Sequence, residues 1–428
     1  MRLVSLVAAV IAPSLVACAA EPDVVEDDAD WLDGKADGQS SAGIRATALD
    51  VSHTGKRAIA TIELERDGNV ALEAGGLEIL AVSDERGARQ HRIVDGELRV
   101  SSVRGPLVIE YTFSEHDDFD GLLAGGSTLV WPEHCGNLFP CHSRSADSTT
   151  FELAVSDLPA GTTAVHPRAI GDAPSYVVAW AVGEYTRLEL GTTPAGTRVV
   201  AFTLPGGDRA ARGGTTHFVA AIDWLERTLG PYAFGDELGS VAVDWGGDFA
   251  GGMEHVPYAH LTEAAMAEDY AHVHEAVHGW YGNAVRLRCW EDLVLSEGTT
   301  SYLTARVLGK VAGAAREAEL WATYQTDLDD AIATAHAEHH PPAWPEGCNV
   351  HRVREDNLHT NLPYKQGAFF YKEVAEQVGA DVLDGVLARF YQRFKHQPAG
   401  MQDMIDAIEA ETGFDPAPLV AARLRRQF

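Results

Sequence analysis

Between residues 44 and 190 the pattern is strand-like in short runs, most of them alternating apolar and polar positions (RAIATIELE, LEILAVS, ELRVSSV, PLVIEYTF, STLVWP, TTFELAV and the wholly apolar YVVAWAV), parted by Gly, Asp and Pro clusters. A two-residue period turns one face of each run to a core and the other to water, which predicts a domain of short strands. One more strand, TRVVAFTLP, follows, and then the period lengthens. THFVAAIDWLERTLG repeats its apolar positions at helical spacing, GSVAVDW reads as a strand, and most of the chain beyond Thr262 reads as helices. The predicted fold class is α+β with several domains: an antiparallel β domain over residues 44–192, then an α/β domain over 193–428 that passes into helices.

The two ends of the pattern differ in kind. Residues 1–18, MRLVSLVAAVIAPSLVAC, hold one basic residue, Arg2, then an apolar stretch and small residues, the pattern of an export signal. Within it Leu15, Val16, Ala17 and Cys18 resemble the lipobox of bacterial lipoproteins, whose cysteine is acylated and becomes the new N-terminus. That resemblance implies a protein exported to the bacterial cell envelope and anchored to a membrane, on the periplasmic or cell-surface side, by a lipid on Cys18. An ordinary signal peptide cut near Ala19 is the alternative. Residues 19–43 are acidic and then Gly/Ser-rich, with too little apolar content to pack, and are expected to form a flexible tether. Asp28, Asp30 and Asp33 lack the spacing and the closing glutamate of a calcium loop.

Composition narrows the picture further. At 428 residues and 46% hydrophobic content the chain can bury the cores of two domains. A formal net charge of −30 repels phosphate backbones, so no nucleic-acid partner is expected. With Cys18 acylated, Cys135, Cys141, Cys289 and Cys348 remain, an even number in an oxidising compartment. Three pairings are open. Cys135 with Cys141 would close a short loop and leave Cys289 with Cys348, while four free buried thiols are the alternative.

The chemistry concentrates in HVHEAVHGWYGN, residues 272–283. In a helix, His274 and His278 lie one turn apart on one face and can point at one ion, with Glu275 beside them. Such a motif is short enough to arise by chance and needs company. Glu297, after eighteen intervening residues in WEDLVLSEGTTSYL, is the natural third ligand, opening the next helix with Ser296 as its N-cap. Two neutral histidines and a carboxylate leave a fourth position open on zinc, as a catalytic site requires. Upstream, DFAGGMEHVPY follows a strand; downstream, LPYKQGAFFYKEV sets Tyr364 just before a helix. His336, His339 and His340 suit a helix C-terminus rather than a metal.

These segments resemble the gluzincin aminopeptidases typified by aminopeptidase N and leukotriene hydrolase. The resemblance implies a thermolysin-like catalytic domain and one Zn2+ per chain on His274, His278 and Glu297, with Glu275 as general base; Trp280, Gly282 and Asn283 match as well. The family's Gly-x-Met-Glu-Asn segment stands here as Gly251, Gly252, Met253 and Glu254, with His255 in place of the asparagine. That implies substrate binding by Gly251, Gly252 and Met253 and capture of the free amino group by Glu254. Tyr364 matches the catalytic tyrosine, although the lysine that follows is shifted by one to Lys365.

The resemblance spans nearly the whole chain beyond the signal, but unevenly. The Asp-Glu-Pro after FPC is absent, Val294 and Ser296 replace the usual Trp and Asn, and the chain ends at Phe428 where the family's catalytic domain closes. For a second ammonium ligand only Glu133 or Asn137 is offered, and a cationic His255 would oppose an incoming ammonium. The leading expectation is a zinc aminopeptidase acting on peptides with a free N-terminus. A zinc endopeptidase or other zinc hydrolase, and a non-catalytic binding lipoprotein with a structural metal clip, stay open. The sequence sets neither the preferred first residue nor the oligomeric state.

Overall fold

A computed structural model describes residues 31–33, 41–116, 120–246, 251–348 and 350–428. The export signal with Cys18, and most of the acidic segment after it, lie outside the described residues. Six residues of that segment are described, 31–33 and 41–43, and the first three are not free of the body. Trp31 and Leu32 are buried, Arg99 lies over the Trp31 ring, and Asp33 pairs with Arg92 at 2.5 Å. An indole and a leucine are enough to fasten one point of an otherwise polar stretch.

The first half forms a seven-stranded sheet in the order Ala169–Ala173, Thr149–Ser156, Ile44–Ser52, Arg57–Leu64, Leu107–Thr112, Glu78–Asp84, Gly87–Ala88, with a three-stranded sheet beside it. Alternation explains the register: Ala58, Ala60 and Ile62 of one strand are buried while their neighbours are open. The expectation of antiparallel pairing holds except between Ile44–Ser52 and Thr149–Ser156, which run parallel. The long excursion between those two strands supplies the crossover that parallel pairing needs. YVVAWAV is not one strand. It folds as the short 3-10 turn Ser175–Val177 and the three-residue strand Ala181–Gly183. Its residues are buried without alternation, and the Val177 carbonyl accepts the Val256 N–H, tying it to the second half.

A second, five-stranded sheet runs Thr186–Thr192, Arg198–Thr203, Glu237–Val243, Tyr258–Thr262, Gly252–Met253. It therefore takes its first strand from before residue 193. Parallel pairing of Arg198–Thr203 with Glu237–Val243 is made possible by the crossover helix Phe218–Thr228, which buries Phe218, Ala221, Ile222 and Leu225 at helical spacing. The edge strand Gly252–Met253 pairs antiparallel with Tyr258–Thr262, Met253 opposite His260.

Helices occupy most of the remainder, with one parallel strand pair, Val285–Leu287 and Gln397–Ala399. Leu293–Val311 is the central helix, buried on every side from Leu293 to Ala305. It begins three residues before Ser296, so Ser296 is inside the helix and not its N-cap. The apolar run Leu293, Val294, Leu295 faces core on all sides, and helix is the form that satisfies its backbone there. The helix Asn361–Val378 lies across it at a glycine pair. A Cβ on Gly298 would stand 2.7 Å from the Gly367 Cα, and one on Gly367 2.5 Å from the Gly298 Cα. Only two glycines allow that approach. Because Glu297 and Tyr364 lie within one turn of this crossing, it sets their separation. Tyr364 is thus in the first turn of its helix, not ahead of it.

Cys135 bonds Cys141, and Cys289 bonds Cys348. The second bond fastens the segment between the helices Ala314–Glu338 and Asn361–Val378. Glu133 accepts the Val353 N–H at 2.8 Å, and Arg354 pairs with Asp120 at 2.6 Å. That segment thereby becomes a wall joining the two halves of the chain.

Candidate active site

The helix Asp269–Val277 presents His274 from its last turn, and His278 follows at its C-cap. The two Nε2 atoms are 3.3 Å apart. Glu297 Oε2, from the central helix, lies 3.4 Å from His274 Nε2 and 3.3 Å from His278 Nε2. All three residues are buried. Donors held about 2.0–2.1 Å from one ion at tetrahedral angles stand about 3.3–3.4 Å from one another. The triangle has that size, and Glu297 Oε2 has no hydrogen-bond donor of its own, so the donor set fits a zinc ion.

The far side of each imidazole is held as well. His278 Nδ1 donates to the Tyr281 carbonyl at 3.1 Å, with Ser296 Oγ at 3.2 Å. A carbonyl can only accept, so the proton sits on Nδ1 and Nε2 keeps its lone pair. His274 Nδ1 faces the Tyr270 hydroxyl at 3.3 Å.

Two more carboxylates converge on the triangle. Glu254, Glu275 and His278 can bring ligand atoms within 4.8 Å of one another. Burial raises the Glu275 carboxyl well above the usual range; His278 opposes this, while Glu254 and Glu297 add to it. Glu254 is raised by burial too, with His278 again opposing. On His278, burial acts against the charged ring, but the surrounding carboxylates together outweigh it and raise the group. An excess of buried negative charge is costly unless a cation answers it.

Glycine makes room for Glu275. A Cβ on Gly252 would meet Glu275 Oε1 at 2.7 Å and Leu261 Cδ2 at 2.4 Å. Tyr364 lies with its ring nearly parallel to His274, at 14° and 6.1 Å between centroids. All these groups line one cavity of about 550 Å³. Tyr176, Leu287, Trp290 and Leu293 give it an apolar wall, and Trp131 with Pro132 comes from the β domain.

Each site residue taken from the sequence outside the signal is at this cavity: Gly251, Gly252, Met253, Glu254, His274, Glu275, His278, Glu297 and Tyr364. The two subsidiary suggestions fail. Glu133 and Asn137 do not line it; Glu133 is engaged with Val353, and Asn137 donates to the Asp120 carbonyl. Nor can His255 act as a cation near neutrality. It is buried, and burial, helped by the nearby His260, takes it well below the ordinary range. Sequence reasoning missed a positioning role for Asn283, whose side chain donates to the Glu254 carbonyl at 2.9 Å. It also missed Tyr270, although an aromatic one turn before a ligand histidine is a visible signal.

Fold and donor set together resemble those of two-domain gluzincin peptidases. Residues 249–421 match the Peptidase family M1 domain. Leucine aminopeptidase 2-1 of Meyerozyma guilliermondii is 24% identical over 64% of this chain and 46% of its own length. Aminopeptidase M1-B of rice (Oryza sativa subsp. japonica) is 24% identical over 68% of this chain and 35% of its own. The chain thus spans about half the length, or less, of these curated relatives. Among solved structures, an M1 zinc metallopeptidase of Deinococcus radiodurans bound to a Tyr-Ser-Ala substrate superposes with a TM-score of 0.74 at 17% identity. The match covers 91% of this chain and 96% of that one. Native yeast LTA4 hydrolase gives 0.73 at 17% identity, covering 92% and 70%.

Proposed function

We propose that the protein is a zinc-dependent aminopeptidase that holds one zinc ion per chain on His274, His278 and Glu297 and releases N-terminal residues from peptides. The observation that carries this reading is the triangle of donors at zinc-ligand spacing with Glu275 and Glu254 beside it. Zinc bound there supplies Lewis acidity, polarising the scissile carbonyl and bringing the pKa of water towards about 7. Every other part falls to the chain. Glu275 takes the proton of the attacking water and returns it to the leaving amine. Tyr364 donates to the oxygen on which negative charge develops, an interaction worth about 3 kcal/mol when preorganised. The edge strand Gly252–Met253 offers its unpaired side to an extended peptide, and its glycine admits the second backbone.

Glu254 receives the substrate ammonium, oriented by Asn283 through its own carbonyl. The apolar wall beside it favours a large apolar first side chain. Trp131 and Pro132 stand at the same end of the cavity as Glu254, since the Val130 N–H is bonded to His255 at 3.4 Å. This supports release of end residues over internal cleavage. One charged hydrogen bond is worth about 2–3 kcal/mol, so free N-termini should be favoured over acetylated ones by roughly tens to a hundredfold in kcat/KM. Glu254→Ala is expected to abolish that preference. A variant that keeps it would remove Glu254 from the amino-binding role.

The proposal extends to location. Export followed by acylation of Cys18 would hold the enzyme at a membrane of the bacterial envelope, and two bonded cysteine pairs suit an oxidising compartment. Cys18→Ser should move the protein from the membrane to the soluble fraction at unchanged specific activity. Equal partitioning of both forms would point instead to an ordinary signal peptide.

A further inference from the structure

We propose that Tyr270, backed by Tyr324, is a positioning residue of the metal centre: its hydroxyl holds the His274 proton on Nδ1 and so turns Nε2, unprotonated, towards the ion. The inference rests on reading His274 as a zinc ligand and adds to it a part that no ligand set supplies.

The two histidines are held differently. His278 Nδ1 is bonded to a backbone carbonyl, that of Tyr281, which fixes its tautomer whatever the neighbouring side chains are. His274 Nδ1 has the Tyr270 hydroxyl at 3.3 Å. A hydroxyl both donates and accepts, so by itself it leaves the tautomer open. If Tyr270 donated to Nδ1, the ring proton would sit on Nε2 and His274 could not bind a metal.

The way the ring faces decides the direction. His274 Nε2 lies 3.3 Å from His278 Nε2 and 3.4 Å from Glu297 Oε2, so a ligand role for it leaves the one ring proton on Nδ1. Tyr270 is then the acceptor. Its ring lies against that of His274 at 5.3 Å between centroids and edge to face with Tyr324 at 6.0 Å. Tyr324, on the helix Ala314–Glu338, donates its hydroxyl proton to the Ser301 carbonyl at 3.1 Å. That carbonyl lies on the helix that carries Glu297, so the support behind His274 is tied to the element of a second ligand.

Lys365 braces the two tyrosines. Its ammonium is buried, 4.2 Å from the Tyr324 ring centroid and 5.6 Å from that of Tyr270, and pairs with Asp327 at 3.4 Å. A desolvated ammonium over a ring face restrains the ring. Lys365 directly follows Tyr364 in the chain, so the helix Asn361–Val378 supplies both a residue for the cavity and the support for the outer side of His274.

The test is zinc affinity, measured by competition with a chelator of known strength, for the unmodified protein, Tyr270→Phe and Tyr324→Phe. Both replacements keep the ring and its packing and remove only the hydroxyl. Tyr270→Phe is expected to weaken zinc binding by about 10- to 100-fold, the usual cost of losing the outer partner of a ligand histidine. Tyr324→Phe should weaken it in the same direction by a smaller factor, with the thermal midpoint of the metal-free form unchanged. Zinc affinity within about twofold of the unmodified protein in Tyr270→Phe overturns the inference, and if that variant does not fold, the same result in Tyr324→Phe overturns it. Failure of the unmodified protein to bind zinc would instead defeat the ligand assignment on which the inference stands.

Discussion

Glu275→Gln is expected to lower kcat by about 10²- to 10⁴-fold, the range for removing a positioned general base, while the zinc content stays at that of the unmodified protein. Glutamine keeps the length and shape of the side chain and loses the ability to take a proton. The surroundings explain why this position can act as a base. Gly252 leaves the space that Glu275 Oε1 fills, and burial holds the carboxyl above the ordinary carboxylate range, closer to the proton affinity a base needs near neutrality. Metal analysis and turnover measured on the same preparation test both halves. Turnover near that of the unmodified protein would reject the base, and loss of zinc would show that Glu275 acts on the metal itself.

The second large effect is on metal content. His278→Ala removes one corner of a triangle whose sides are 3.3 and 3.4 Å and leaves Glu254, Glu275 and Glu297 around the gap. Stoichiometric zinc is expected to fall to a small fraction and activity with it. Stability should follow by linkage: a ligand present at a thousand times its dissociation constant contributes about 4 kcal/mol. Chelation should therefore lower the melting temperature of the unmodified protein and leave that of His278→Ala unmoved. Retention of one zinc per chain by the variant would show that the ion sits elsewhere.

Much of this site was legible because its parts are local in sequence. His274, Glu275 and His278 are placed by a single helical turn, and Glu297 by a short connection to the next helix. Such positions follow from periodicity alone. The seven-stranded sheet was legible for the same reason, through alternation. What was not legible depends on distant contacts. Gly298 and Gly367 read as ordinary helix glycines until the two helices are seen to cross there. Ser296 reads as a cap because its residue type suits one, but the apolar residues before it are buried on all sides and extend the helix. His255 reads as a titratable neighbour of Glu254, and burial against His260 removes its charge. YVVAWAV has strand composition but no alternation, since every residue is inside.

The central claim, a zinc aminopeptidase, is tested most directly by rates on one set of fluorogenic peptides with free and acetylated N-termini, each assayed as isolated, after chelation and after zinc is restored. The expected result is cleavage of the free peptides at kcat/KM tens to a hundredfold above the acetylated ones, as one charged hydrogen bond implies, abolished by chelation and recovered with zinc. Equal cleavage of acetylated and free peptides, or rates that chelation does not touch, would contradict it.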